Sequence, residues 1–146
     1  MFGNTLGPDD AYRFARGETV TSTTGQEVRL GRPLDFLMVS DHAENIGVAP
    51  MIAANDPMVT QVPAGAEAAE FLQAGDLGAA WNVLSSAKAE GADPFAEYPE
   101  IYEAAWDDIV GAAERHNAPG LFTALIGFEW SSTYDRSNLH RNVVFR

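Results

Sequence analysis

The stretch Phe36-Leu37-Met38-Val39-Ser40-Asp41-His42 decides how the rest of the chain is read. Four consecutive apolar residues have the length and character of a buried strand, and the run ends in a small hydroxyl, a carboxylate and an imidazole. In α/β proteins ligands gather outside the carboxyl ends of strands, so an Asp-His pair at such an end faces a cleft. Two later stretches echo the pattern. Leu125-Ile126-Gly127-Phe128-Glu129-Trp130 is a second apolar strand that reaches a carboxylate, and Asn138-Leu139-His140-Arg141-Asn142 opens a third strand with another imidazole. The expectation is that His42, Glu129 and His140 converge on a metal ion.

Outward from this core, residues 8–16 read as a short helix. Pro8 suits the first helical position, Asp9 and Asp10 favour the positive end of the helix dipole, and Gly17 stops it, with Tyr12, Phe14 and Ala15 on the buried side. Thr19-Val20-Thr21 and Glu27-Val28-Arg29-Leu30 alternate around a Thr24-Gly25 turn, which is a hairpin signal. Past His42 the pattern becomes helical and rich in small residues. Residues 47–54 are apolar up to Asp56-Pro57, and 64–74 and 76–90 are Ala-rich, broken at Gly75 and capped by Asp76. The span of about 57–97 is expected to pack on the outside as a mobile helical insertion. A longer helix over 98–116 places Tyr98, Ile101, Tyr102, Ala105, Trp106, Ile109 and Ala113 at helical spacing and ends at Asn117-Ala118-Pro119-Gly120. Strands at 122–130 and 139–145 follow. Helix, hairpin, strand, helices, strand, strand is an α/β order, with helices packed on a mixed sheet.

The chain has 146 residues, enough for one domain with a core. Its formal charge of −12 argues against nucleic acid as a partner, because phosphate backbones are bound through clustered Lys and Arg. No run is long and apolar enough for a membrane span, and the start has no basic region followed by an apolar stretch. With no cysteine there is no disulfide framework, zinc–thiolate site or thiol nucleophile, and the compartment stays open.

Each candidate side chain also has a plainer reading. His42 alone could be a hydrogen-bonded structural residue. Asp41 either orients a histidine ring or caps a turn. Glu129, after an apolar run, is costly to bury unless it binds a cation or pairs with Arg141 or Arg136. If 122–130 and 139–145 pair as a wide hairpin, Glu129 lies roughly opposite His140, and period-two alternation puts Glu129, Ser131, His140 and Asn142 on one face. Arg141 is either a contact for a phosphate oxygen or a surface arginine. Glu44 and Asp135 are further carboxylates that could assist the metal ligands, although nothing in their spacing requires it. His116 complements the end of its helix, and Trp106 and Trp130 read as core or pocket wall. Ser40 and Ser131 lack the Gly-x-Ser-x-Gly setting of a nucleophile, and no phosphate-binding glycine loop is present.

Together, Pro8-Asp9-Asp10-Ala11-Tyr12-Arg13-Phe14-Ala15-Arg16-Gly17-Glu18, Arg32-Pro33-Leu34-Asp35-Phe36, Val39-Ser40-Asp41-His42-Ala43-Glu44-Asn45, Gly127-Phe128-Glu129-Trp130-Ser131-Ser132 and Asn138-Leu139-His140-Arg141-Asn142-Val143-Val144-Phe145 resemble the family of unknown function called DUF3604. That family is similar to PHP-type (polymerase and histidinol phosphatase) metal-dependent phosphoesterases. The resemblance implies a partial, distorted β/α-barrel with metals at the carboxyl ends of its strands. It makes His42, Glu129 and His140 metal ligands, Glu129 in a position that often bridges two metals, and it makes Asp41 a catalytic-site residue behind His42. The His-x-His strand that opens such domains, and the later ligand motifs, have no counterpart here. Residues 1–146 are therefore expected to be an internal piece of one PHP-like domain, without phosphoesterase activity alone. The implied reaction is hydrolysis of a small-molecule phosphoester by water activated on zinc, manganese or iron, with Arg141 touching the phosphate. An amidohydrolase-like cleavage of carbon–nitrogen bonds and a non-catalytic binding or structural domain are the alternatives.

Overall fold

The computed structural model describes residues 4–89, 93–132 and 139–145, with no side-chain detail for 87–89. Its elements fall into two units, with the boundaries between Ile46 and Gly47 and between Ala105 and Trp106.

The unit containing Gly47–Ala105 is helical. Proline is the first residue of three of its helices, at Pro57, Pro63 and Pro99, where the missing N–H costs nothing. α2 spans Val48–Ala53, α3 Pro57–Thr60, α4 Pro63–Gln73, α5 Leu77–Ala89, and α6 begins at Pro99 and ends at His116. Asp56 caps α3 by accepting from the Met58 N–H at 2.8 Å, and Asp76 accepts from the Ala79 N–H at 2.9 Å at the head of α5. Val48, Ile52, Val59, Val62, Phe95 and Ile101 are buried together, with Ala68, Ala69 and Ala80 letting the helices approach. The helical region is thus wider than the expected 57–97 and has a core of its own, because Val48, Ile52 and Ile101 from its two ends complete that core.

The unit formed by Thr5–Ile46 and the chain from Trp106 onward carries the strands. α1 (Pro8–Ala15) starts where the Gly7 N–H donates to Asp10 and buries Tyr12 and Ala15. β1 (Val20–Thr21) and β2 (Glu27–Val28) form the expected antiparallel hairpin, with Gly25 at φ +82°, a left-handed value that glycine takes without strain. β3 (Phe36–Met38) pairs in parallel with β4 (Thr123–Leu125), and β5 (Gly127–Ser132) pairs antiparallel with β6 (Leu139–Val144). Tyr12, Ala15, Ala112, Ala113 and Phe122 form the core, with Leu37, Val39, Ala124 and Ile126 packed against it. The Tyr12 hydroxyl donates to the Leu125 carbonyl at 2.9 Å, which ties α1 to the end of β4.

The α/β class holds: the described residues form three two-stranded sheets with no closed barrel among them, and one expectation, the placement of Phe36, needs correction. Closure needs each strand paired on both edges, whereas among the described residues β3 and β4 pair only with each other as named strands. Phe36, read as core, is 64% exposed. Alternation turns Leu37 and Val39 toward the packed core and Phe36 away from it.

Candidate functional site

The parallel register of β3 and β4 carries on beyond the two named strands. Phe36 lies beside Thr123, an offset of 123 − 36 = 87, and the bridge between His42 and Glu129 has the same offset, 129 − 42 = 87. The Glu129 N–H donates to the Asp41 carbonyl and the Ala43 N–H to the Glu129 carbonyl, both at 2.8 Å. The segment 41–43 therefore lies against one edge of β5 while β6 lies against the other. Gly127 permits this crowding at the start of β5: a side chain there would collide with the Met38 sulfur and the Val143 carbonyl oxygen. Ser40 Oγ also donates to Asn142 Oδ1, which links the first segment to β6.

The antiparallel register pairs Glu129 with Asn142 and Ser131 with His140. His140 is thus two residues from the expected position opposite Glu129. Because side chains repeat every two residues, the shift leaves Glu129, Ser131, His140 and Asn142 on one face, as expected. His42 arrives at that face from the third segment. His140 Nδ1 lies 2.8 Å from Glu129 Oε1, and His42 Nδ1 lies 3.5 Å from Glu129 Oε2. Ser131 Oγ sits between the rings, 2.9 Å from His140 Nδ1 and 3.3 Å from His42 Nδ1. The ring centroids are 5.3 Å apart. One ligand atom from each of His42, Glu129 and His140 can be chosen so that all lie within 4.8 Å of one another. Side-chain exposures of 58% for His42 and 41% for His140, against 22% for Glu129, make a cluster with a shielded carboxylate and accessible imidazoles.

These separations suit coordination chemistry. Bonds of about 2.0–2.2 Å set neighbouring ligand atoms roughly 3.3–3.6 Å apart around a tetrahedral ion, and closer around an octahedral one. The arrangement does not suit a serine hydrolase. Ser131 and Glu129 both meet Nδ1 of His140, whereas a relay needs the nucleophile on one ring nitrogen and the carboxylate on the other.

A family model described as "Protein of unknown function (DUF3604)" matches residues 1–146. The chain belongs to the DUF3604 family. No curated protein and no solved structure matches it.

In this DUF3604 chain the remaining candidates lie elsewhere. Arg141 pairs with Trp130, its guanidinium 5.9 Å from the indole centre, on the face of the hairpin opposite His140. That face also carries Phe128 and Val143, and Phe128 and Phe145 pack edge-on with Trp106 of α6. The structure therefore does not bring Arg141 to Glu129, either as a phosphate contact or as a salt-bridge partner; adjacent residues of a strand point to opposite faces. Asp41 meets the site through its backbone carbonyl, and its carboxylate has no hydrogen bond or ion pair among the described residues. Asp135 and Arg136 lie outside the described residues. Glu44, which the sequence offered only as a carboxylate that could assist, has its Oε2 3.9 Å from His42 Nδ1. The available signal was its place two residues after His42, at the point where the chain leaves the strand.

Proposed function

We propose that this unit is part of a PHP-like metal-dependent hydrolase in which His42, Glu129 and His140 hold a divalent ion. One observation carries the reading: two imidazoles from different segments turn the same nitrogen, Nδ1, toward the two oxygens of one carboxylate. Proton-poor atoms gathered this closely repel unless a proton or a cation joins them, and a cation satisfies all of them at once. Two nitrogens and a carboxylate suit zinc, manganese or iron better than calcium or magnesium.

A divalent ion held there supplies an activated water and counter-charge for the oxygens of a phosphoester. The chain's own residues do the rest. Glu129 anchors the set from a half-buried position, fixed by backbone hydrogen bonds to Asp41 and Ala43. Ser131 Oγ, between the two rings, lies within hydrogen-bond reach of both Nδ1 atoms and so marks the point on which they converge. The exposed faces of His42 and His140 leave the cluster open to a small substrate.

The test is equilibrium binding of zinc and of manganese, with hydrolysis of a generic aryl phosphoester followed in parallel. The wild type is expected to take up either ion, and His140→Ala or Glu129→Gln to weaken binding by more than the roughly 10–100-fold typical of losing a supporting residue. His116→Ala, a change at the buried histidine outside this cluster, should leave binding unchanged. Failure of the wild type to bind either metal, or equal binding by His140→Ala, would overturn the reading.

A further inference from the structure

We infer that Glu44 is a fourth ligand of this site and that it favours an ion with more than four coordination positions. The inference rests on the metal-site reading above and adds a residue to it. Glu44 Oε2 has no exposed surface and no hydrogen-bond partner among the described residues, although the side chain as a whole is 27% exposed. It is the one buried side-chain oxygen or nitrogen of the described residues left in that state. A shielded carboxylate oxygen without a donor is costly, and such an atom in a folded protein calls for a water or an ion. Its neighbour here is the metal-facing nitrogen of His42, at 3.9 Å, longer than the 3.5 Å between His42 and Glu129, so Glu44 stands at the margin of the cluster formed by His42, Glu129 and His140.

The local chain explains how the side chain gets there. The Ala43 N–H is pinned to the Glu129 carbonyl, and Asn45 takes φ +57°, a left-handed value that asparagine tolerates better than most residues. The backbone thus reverses just past His42, so that Glu44 folds back beside it. Charge agrees with this role. Two neutral imidazoles and two carboxylates balance the charge of a divalent cation.

Four protein ligands fill a tetrahedral zinc ion and leave no place for water. The same four on a five- or six-coordinate ion leave room for water and substrate, as manganese or ferrous iron allows. Glu44 therefore contributes to manganese binding more than to zinc binding, since His42, Glu129 and His140 already make a sufficient zinc set.

The experiment compares wild type, Glu44→Gln and Glu44→Asp by calorimetric titration with manganese and with zinc, and by thermal melting without metal. Glu44→Gln should bind manganese about tenfold or more weakly, bind zinc with a smaller loss, and melt without metal at the same or a higher temperature, because a buried unpaired charge has been removed. Glu44→Asp, which keeps the charge but loses reach, should fall between. A residue with only a structural role would instead lower the metal-free melting temperature and leave affinity alone, and that result would overturn the inference. Manganese affinity equal to wild type in both variants would also overturn it. A wild type that binds neither metal would remove the site itself, a failure distinct from that of Glu44.

Discussion

His116 lies 3.1 Å from Asp9 and His140 lies 2.8 Å from Glu129, yet the two imidazoles sit in opposite surroundings. His116 is 9% exposed and stacks on the ring of Tyr12 at 5.7 Å, with the planes 21° apart. Each of its nitrogens has a separate, fixed partner. Arg16 can only donate, so its 3.3 Å contact with Nδ1 leaves the ring proton on Nε2, aimed at Asp9. Arg115 donates to the same Asp9 oxygen. Donors and acceptors match, and nothing further is needed. At His42 and His140 the same residue types are more exposed, one nitrogen of each ring serves several oxygens, and a carboxylate oxygen is left over. The lesson is that proximity of His to Glu or Asp does not by itself mark a site. What sets the second cluster apart is that several groups share one nitrogen of each ring and a carboxylate oxygen beside them has no partner among the described residues.

The comparison breaks most readily on stability. Without metal, His116→Ala should cost about 2–3 kcal/mol, since it removes a buried stacked ring and leaves Arg16 without its acceptor. His42→Ala should stay within about 0.5 kcal/mol, as for exposed positions generally. Urea midpoints measured with a chelator present check both. Similar losses at the two positions would mean that the His42 cluster is as structural as the His116 cluster.

A smaller effect sharpens the same contrast through pH. Burial by itself raises the Asp9 carboxyl, but hydrogen bonds from His116 and Arg115, with the charge of Arg115, outweigh it and hold the folded-state pKa below the ordinary 3.8. A depressed carboxyl contributes stability that is fully present above its unfolded-state pKa and is lost as pH falls through the folded-state value. The wild type should therefore lose stability on acidification from about pH 5 to below the ordinary aspartate range. Asp9→Asn should start lower and lose less over that interval. Parallel acid limbs in the two proteins would show that Asp9 is not linked to folding.

Legibility in the sequence followed how local each feature is. His42, Glu129 and His140 could be singled out because each is a polar residue set in or beside an apolar strand-like run, and alternation fixed the face shared by Glu129, Ser131, His140 and Asn142 even though the register was off by two. The same rule places Arg141 behind the hairpin, a consequence of its adjacency to His140. Glu44 stood in the sequence only as a carboxylate that could assist, because its unpaired oxygen is something only packing reveals. Helix starts at Pro8 and Pro99 and the Gly25 turn were visible as local chemistry. Pairing of β3 with β4 across 87 positions was not, nor was the absence of a closed barrel among the described residues, since strand closure is a property of distant edges.

The smallest expected effect tests which face of β3 the core covers. An apolar run such as Phe36-Leu37-Met38-Val39 says that a strand is present but not which side of it is packed. Leu37 and Val39 lie against the Tyr12–Phe122 core, while Phe36 is mostly exposed at the outer end of the same strand. Large-to-small changes at buried phenylalanines cost about 3–5 kcal/mol, from lost transfer energy and an unfilled cavity. Neither term applies in full to a side chain that water already surrounds. Phe36→Ala should therefore cost less than about 1 kcal/mol and leave metal affinity unchanged. Ile126→Ala, which removes a side chain packed on the core, should cost more. A loss at Phe36 as large as that at a buried phenylalanine would show that its face is covered in the folded protein, and that β3 has a neighbour beyond those described.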